Sequence, residues 1–97
     1  MSATTTRALR LLARYSMARH YGDESARCKA GAALLEAVNA AFEIHVGTSV
    51  DALLHGQEHG YRPTIHTAKG EDFEVLADLY DFVACMRGLP LRASRVV

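Results

Sequence analysis

Two histidines four residues apart carry the clearest ligand spacing in this sequence. His55 and His59 fall on one face of any helix that holds them, and Asp51 lies one turn earlier on that face. Imidazoles at that spacing can share a zinc ion, and a carboxylate can join them. Without metal, the same cluster is a polar face whose charge changes near neutrality. The two cysteines stand in contrasting surroundings. Cys28 has Arg27 and Lys29 beside it and stands near a helix start, an electropositive setting of the kind a nucleophilic thiol needs. Cys85 stands at helical spacing from Asp78 and Asp81, a poor setting for a nucleophile.

The run His55-Gly-Gln-Glu-His59 resembles the H-x-x-E-H order of the inverzincin metalloproteases. That likeness implies a zinc peptidase. Such an enzyme also needs a distant third ligand and a substrate cleft, and 97 residues leave no room for that catalytic domain. Gly56 inside the motif weakens its helix by about 1 kcal/mol relative to Ala. Nothing in the sequence matches a phosphate-cradling glycine loop, a nucleophile elbow or an assignable acid–base pair. The expectation is a protein without catalytic residues, cofactor or resident metal, with His55, His59 and Asp51 as the weak candidates for a metal.

Charge is sorted into blocks. No acid precedes Asp23, whereas Arg7, Arg10, Arg14 and Arg19 all do. Glu36, Glu43, Asp51 and Glu58 follow between Gly31 and Gly60 with no Lys or Arg among them. Five more acids lie between Glu71 and Met86, and the end turns basic again at Arg87, Arg92 and Arg95. The net charge of zero thus conceals a strong internal polarity. Complementary fields of this kind steer encounters and fix register. The candidate partner-binding residues are Arg7, Arg10 and Arg14 on one helix and Glu74, Asp78 and Asp81 on another.

The elements that position these residues follow from hydrophobic periodicity. One domain, 1–97, is expected to be an all-α bundle of about four helices. A first helix over about 5–20 places Ala8, Leu11, Leu12 and Tyr15 opposite Arg7, Arg10 and Arg14, with the Thr run offering caps. A second, over about 25–43, has Leu34, Leu35, Val38 and Phe42 as its core face, and its small flanks (Ala30, Gly31, Ala33, Ala37) suit a central place. A third over about 49–60 buries Val50, Leu53 and Leu54. A fourth over about 71–87 buries Phe73, Leu76, Leu79, Tyr80, Val83 and Met86 and stops at Gly88 and Pro90. Phe42–Val46 and Thr64–His66 alternate weakly, which leaves a minor two-stranded ribbon open. The apolar–basic tail 89–97 is expected to fold back on the bundle. His45, on the apolar side of the second helix if that helix extends so far, is expected to be a satisfied, half-buried side chain.

Two cysteines are too few for a disulfide framework and suggest free thiols in a reducing cytoplasm. No run is long enough to span a bilayer, so no membrane role is expected. The apolar stretch after Arg7 is broken by Arg10 and Arg14, unlike a signal peptide, although an acid-free, Arg-rich and Thr-rich start also describes a transit peptide. Arg outnumbers Lys nine to two, which fits a GC-rich genome and so a bacterium or its mobile elements.

One segment bears on nucleic acid. Val46-Gly-Thr-Ser-Val-Asp-Ala-Leu-Leu-His-Gly56 resembles the closing segment of Cro/repressor-type helix-turn-helix domains. There a Gly-x-Ser-Val-Asp-x-Leu-Leu helix packs behind the reading helix. The likeness covers about a tenth of the chain. The family's upstream Gln-x-x-x-Ala and tight Gly turn are missing, and the helix that would read the groove offers only Arg27 and Lys29 near its start. The resemblance implies a DNA-binding transcriptional regulator. The residues themselves favour a small non-enzymatic interaction module, a regulator or inhibitor that binds a larger protein or itself as a homo-oligomer. A His-based metal-binding or pH-sensing protein is the remaining alternative.

Overall fold

Three short polar side chains start three of the helices. In the computed structural model, which describes residues 1–63, 65 and 70–89, the elements are α1 (Ala3–Tyr21), α2 (Glu24–His45), α3 (Val50–Glu58) and α4 (Gly70–Met86). Ser2, Asp23 and Ser49 hold extended backbone, and their side-chain oxygens accept from the N–H groups of Thr5, Ala26 and Ala52. Each such cap contributes about 1 kcal/mol. Ser2 thus takes the capping role expected of the Thr run, which lies inside α1. The ends of α3 and α4 share one device. Tyr61 N–H donates to the Gly56 carbonyl at 2.8 Å, and Leu89 N–H to the Ala84 carbonyl at 2.9 Å. Both loops turn on a glycine at positive φ, Gly60 at 89° and Gly88 at 71°, where any other residue would be strained.

The described residues form an all-α bundle. Gly22 and Asp23 join α1 and α2 into an antiparallel hairpin, so the start of α1 meets the end of α2: Ser2 Oγ lies 2.8 Å from His45 Nε2. The hairpin is the most extensive interface in the protein. Gly31 suits its close approach, because a Cβ there would stand 3.3 Å from the Tyr15 ring, which would have to give by a few tenths of an ångström. Parallel to α1, α4 lies against both helices, with Phe82 edge-on to Tyr15 at 5.9 Å and Tyr80 beside Phe42 at 6.2 Å. The short α3 closes the remaining side through Val50 and Leu54.

The core is drawn from all four helices and from Ile65. Leu34, Val38, Phe42, Leu54, Leu76, Leu79 and Tyr80 are essentially inaccessible to solvent. Burying a side chain of this size stabilises the fold by roughly 1.5–3 kcal/mol. Ala8, Ala37, Ala41, Ala77 and Ala84 are buried with them and let the helices approach closely.

Two expectations are corrected. The minor ribbon is absent among the described residues, because α2 continues through Phe42–His45, with Val46 N–H still donating to the Phe42 carbonyl at 2.8 Å. Its second half falls partly on residues 64 and 66, outside the described set, as does the tail beyond Leu89. Met86 is 48% exposed rather than buried, since at the end of α4 it faces an open groove.

The Gly31 contact sets a sharp stability test. Gly31→Leu would drive a side chain into Tyr15 and cost about 2 kcal/mol through overpacking. Ala32→Leu, one residue away and exposed, should cost less than about 0.5 kcal/mol. Urea melts of the two variants measure the difference, and equal midpoints would show that the hairpin tolerates a side chain at position 31.

Candidate functional site

Arg7, Arg10 and Arg14 all lie on the outer face of α1 and are exposed. The row spans about 10 Å, two helical turns. Among the described residues, none of its guanidiniums takes part in an ion pair or hydrogen bond. In particular, none reaches Glu74, Asp78 or Asp81. Those acids lie along α4, with Glu74 and Asp78 exposed and Asp81 half-buried. Each of the three is engaged in interactions of its own within the chain. The basic and acidic stripes therefore do not close on one another inside the molecule.

The two histidines lie together as their spacing predicts. The rings of His55 and His59 meet edge to face at 4.5 Å near the end of α3. Asp51 is turned to other work. It accepts from Asn39 Nδ2 at 2.9 Å and pairs with Arg87 Nη2 at 2.5 Å. Its own backbone N–H, one of the unpaired donors at the start of α3, donates to Asn39 Oδ1 at 3.2 Å. This clasp joins α2, α3 and α4. Among the described residues, no three His, Cys, Asp or Glu side chains converge as a metal site requires.

A second clasp gathers the start of α1, the end of α2 and the start of α4. Ser2 Oγ contacts both Thr5 Oγ1 and His45 Nε2 at 2.8 Å, and Ser2 N–H donates to Asp72 Oδ1 at 3.1 Å. The N-terminal ammonium lies 3.5 Å from Glu71. Thr5 is wholly buried. The Ser2 N–H, then the Thr5 hydroxyl, hold the Asp72 carboxyl below its usual 3.8; His45 and the chain's amino group add smaller attractions, and burial opposes them all. His45 is the half-buried, satisfied histidine expected from its position. Ser2, His45 and Asp72 are types found in hydrolytic triads; here Asp72 accepts from the Ser2 backbone N–H, and the cluster ties three helix ends together. Nearby, the Tyr80 hydroxyl donates to Gln57 Oε1, and burial, then the charge of Asp81, pushes the Tyr80 phenol up to about 12.

The sequence also concealed a concave surface. An open groove of about 500 Å³ runs between α2 and the last turn of α4, floored by Leu34, Leu35 and Val83. A smaller one of about 300 Å³ adjoins it beyond Met86 and Tyr15. Arg27 lies on the larger groove and donates to the Gly22 carbonyl at 2.9 Å. Arg19 lies on the smaller, with its guanidinium 6.0 Å from the Tyr15 ring centre. Cys28 and Cys85 are both free and exposed, one on each groove. The only advance signal for the grooves was the run of small residues around Gly31, which was read as packing alone. No helix among the described residues is long and apolar enough to cross a membrane.

Asp72 gives a pH test whose sign is fixed by its lowered folded pKa. The stability it contributes is complete above its ordinary 3.8 and is lost as pH falls below that value through the folded one. Asp72→Asn should lower stability near neutrality and flatten the acid limb of a urea-midpoint profile between about pH 5 and pH 2. An unchanged acid limb in that variant would assign the loss to other carboxylates.

Compared with protein-family models, curated proteins and solved structures, the chain matches none.

Proposed function

We propose that this protein acts by contact rather than by catalysis, as a small module that engages a larger protein or a second copy of itself through the Arg7/Arg10/Arg14 face of α1. In cellular terms this describes a bacterial or mobile-element regulator or inhibitor. The observation that carries the reading is the row itself: three exposed guanidiniums in line, with no ion pair or hydrogen bond among the described residues. A guanidinium offers five donors in a fixed fork that fits a carboxylate through two bonds at once. A row of them steers an acidic surface into register and makes the association salt-sensitive. The acids of α4 (Glu74, Asp78, Asp81) offer such a surface on a second copy, and an acidic stretch of another protein offers the same chemistry.

The DNA-binding reading uses the same row, because phosphates also accept from guanidiniums. It differs in what the row meets. The helical part of the segment 46–56 belongs to α3, which packs on the flank of α2, and α2 contributes much of the core. A reading helix instead presents its side chains to the major groove. Protein contact is therefore the better-supported use of the arginines.

The double variant Arg10→Glu, Arg14→Glu tests the proposal. Its urea midpoint should move by less than about 0.5 kcal/mol, since both side chains are exposed. Capture of the native partner, or self-association in sedimentation, should be lost. If both persist in the variant, the arginine face is not the contact. A gel shift with random-sequence duplex at low salt separates the two targets, since retention of the wild type but not the variant would favour nucleic acid.

A further inference from the structure

We propose that the larger groove, between α2 and the end of α4, binds an apolar monocarboxylate, of which a medium-chain fatty acid is the simplest case. Arg27 takes the carboxylate, and Leu35, Val83 and Met86 take the hydrocarbon. This site is separate from the Arg7/Arg10/Arg14 face and does not depend on it.

The charge on the walls is one-sided. The sequence holds eleven acids and eleven Lys and Arg residues, yet among the described residues the charged side chains lining the two adjoining grooves are Arg19, Arg27 and Arg87, with no carboxylate. The arginines of the larger groove are not equivalent. Arg87 is neutralised by Asp51, which draws it toward Asn39. Arg27 has only the neutral Gly22 carbonyl as a hydrogen-bond partner among the described residues, at 2.9 Å. That bond steadies its guanidinium while leaving its charge and other N–H donors for a ligand. The groove therefore has a cationic end at Arg27 and an apolar body beyond it.

The dimensions fit a slender amphiphile. Arg27 and Leu35 are eight residues apart on one helix, about 12 Å along its axis. Gly31 lies between them, with the Tyr15 ring beside it as part of the lining. The volume of about 500 Å³ falls within the usual range for small-molecule sites, which are mostly apolar with a few placed polar groups. Val83 and Leu35 wall the middle, and Met86, 48% exposed, has the torsional freedom to fold over a bound chain.

Cys28 reports on the groove from within, because it is exposed and lies on its wall. In a Cys85→Ser protein, the alkylation rate of Cys28 by neutral iodoacetamide is followed against decanoate. Saturating decanoate should slow it at least about ten-fold, as expected for a thiol covered by ligand. Affinity should change about four-fold for each methylene in an octanoate-to-decanoate comparison. Decanol and decyltrimethylammonium should bind at least about ten-fold more weakly, since decanol brings no negative charge or bidentate acceptor to Arg27 and the ammonium is repelled by it. Arg27→Gln should erase the preference for decanoate over decanol, and Ala32→Trp, at an exposed wall position, should block all protection while circular dichroism shows the helices intact. The proposal fails if decanoate leaves the rate unchanged, if all three head groups protect equally, or if Arg27→Gln keeps the preference. Protection that rises with protein concentration alone would instead make the groove a contact between copies and overturn the ligand assignment.

Discussion

The Tyr15 ring lies where a side chain at position 31 would otherwise stand. Because Gly31 has none, α1 and α2 approach closely enough for Tyr15 to reach across to Phe82 on α4. One aromatic side chain thereby links three helices. A short chain has little apolar surface to bury, so close approach matters more here than in a larger domain. The register that brings Tyr15 to Gly31 also brings Ser2 to His45, thirteen residues back on α1 and fourteen onward on α2. The hairpin is pinned at both ends by contacts that cannot both form if one helix slips by a turn.

The polar contacts serve geometry more than energy. Exposed or half-exposed pairs such as Arg87–Asp51 contribute roughly 0–1 kcal/mol each. Their value lies in what they join. Asp51 satisfies an unpaired donor of α3 through Asn39, and through Arg87 it holds the end of α4 against α3. Ser2 caps α1, meets the end of α2 through His45 and anchors α4 through Asp72. Apolar packing alone permits helices to rotate and slide among similar arrangements. A shared hydrogen-bonding residue at a helix end removes those alternatives, because a buried or half-buried donor left unpaired is costly.

Much of this was legible in the sequence, and the limits have physical causes. Four helices, their order and the central place of α2 follow from periodicity and small residues, and Gly88 marks where α4 stops. The weak alternation at Phe42–Val46 misled because an amphipathic helix end and a short strand share such patterns over five residues, and continuity with a well-capped helix decides between them. Met86 fits the apolar stripe of α4, but periodicity does not reveal where the neighbouring helix stops covering that stripe. Nothing in the sequence around Asp51 announces Asn39 and Arg87, which reach it from twelve and thirty-six residues away. The groove was hidden for the same reason: its walls come from α1, α2 and α4, and no local pattern records their separation.

The arginine row is set apart by the fact that folding does not account for it. The acids at the start of α4 have structural work: Asp72 holds Ser2, and Glu71 meets the chain's amino group. Both also lie in the first turn of α4, where the helix dipole favours negative charge. α1 has no acid in its first turn, and its first arginine comes as early as the second. That order gains nothing from the dipole, which favours cations at the other end of the helix. The row forms no ion pair among the described residues and covers no part of the core. Three adjacent cations in line repel one another, so the arrangement is if anything slightly unfavourable to the isolated fold. On the contact proposed for it, the row's use lies outside the chain, where a surface of opposite charge would offset a repulsion that the fold leaves in place.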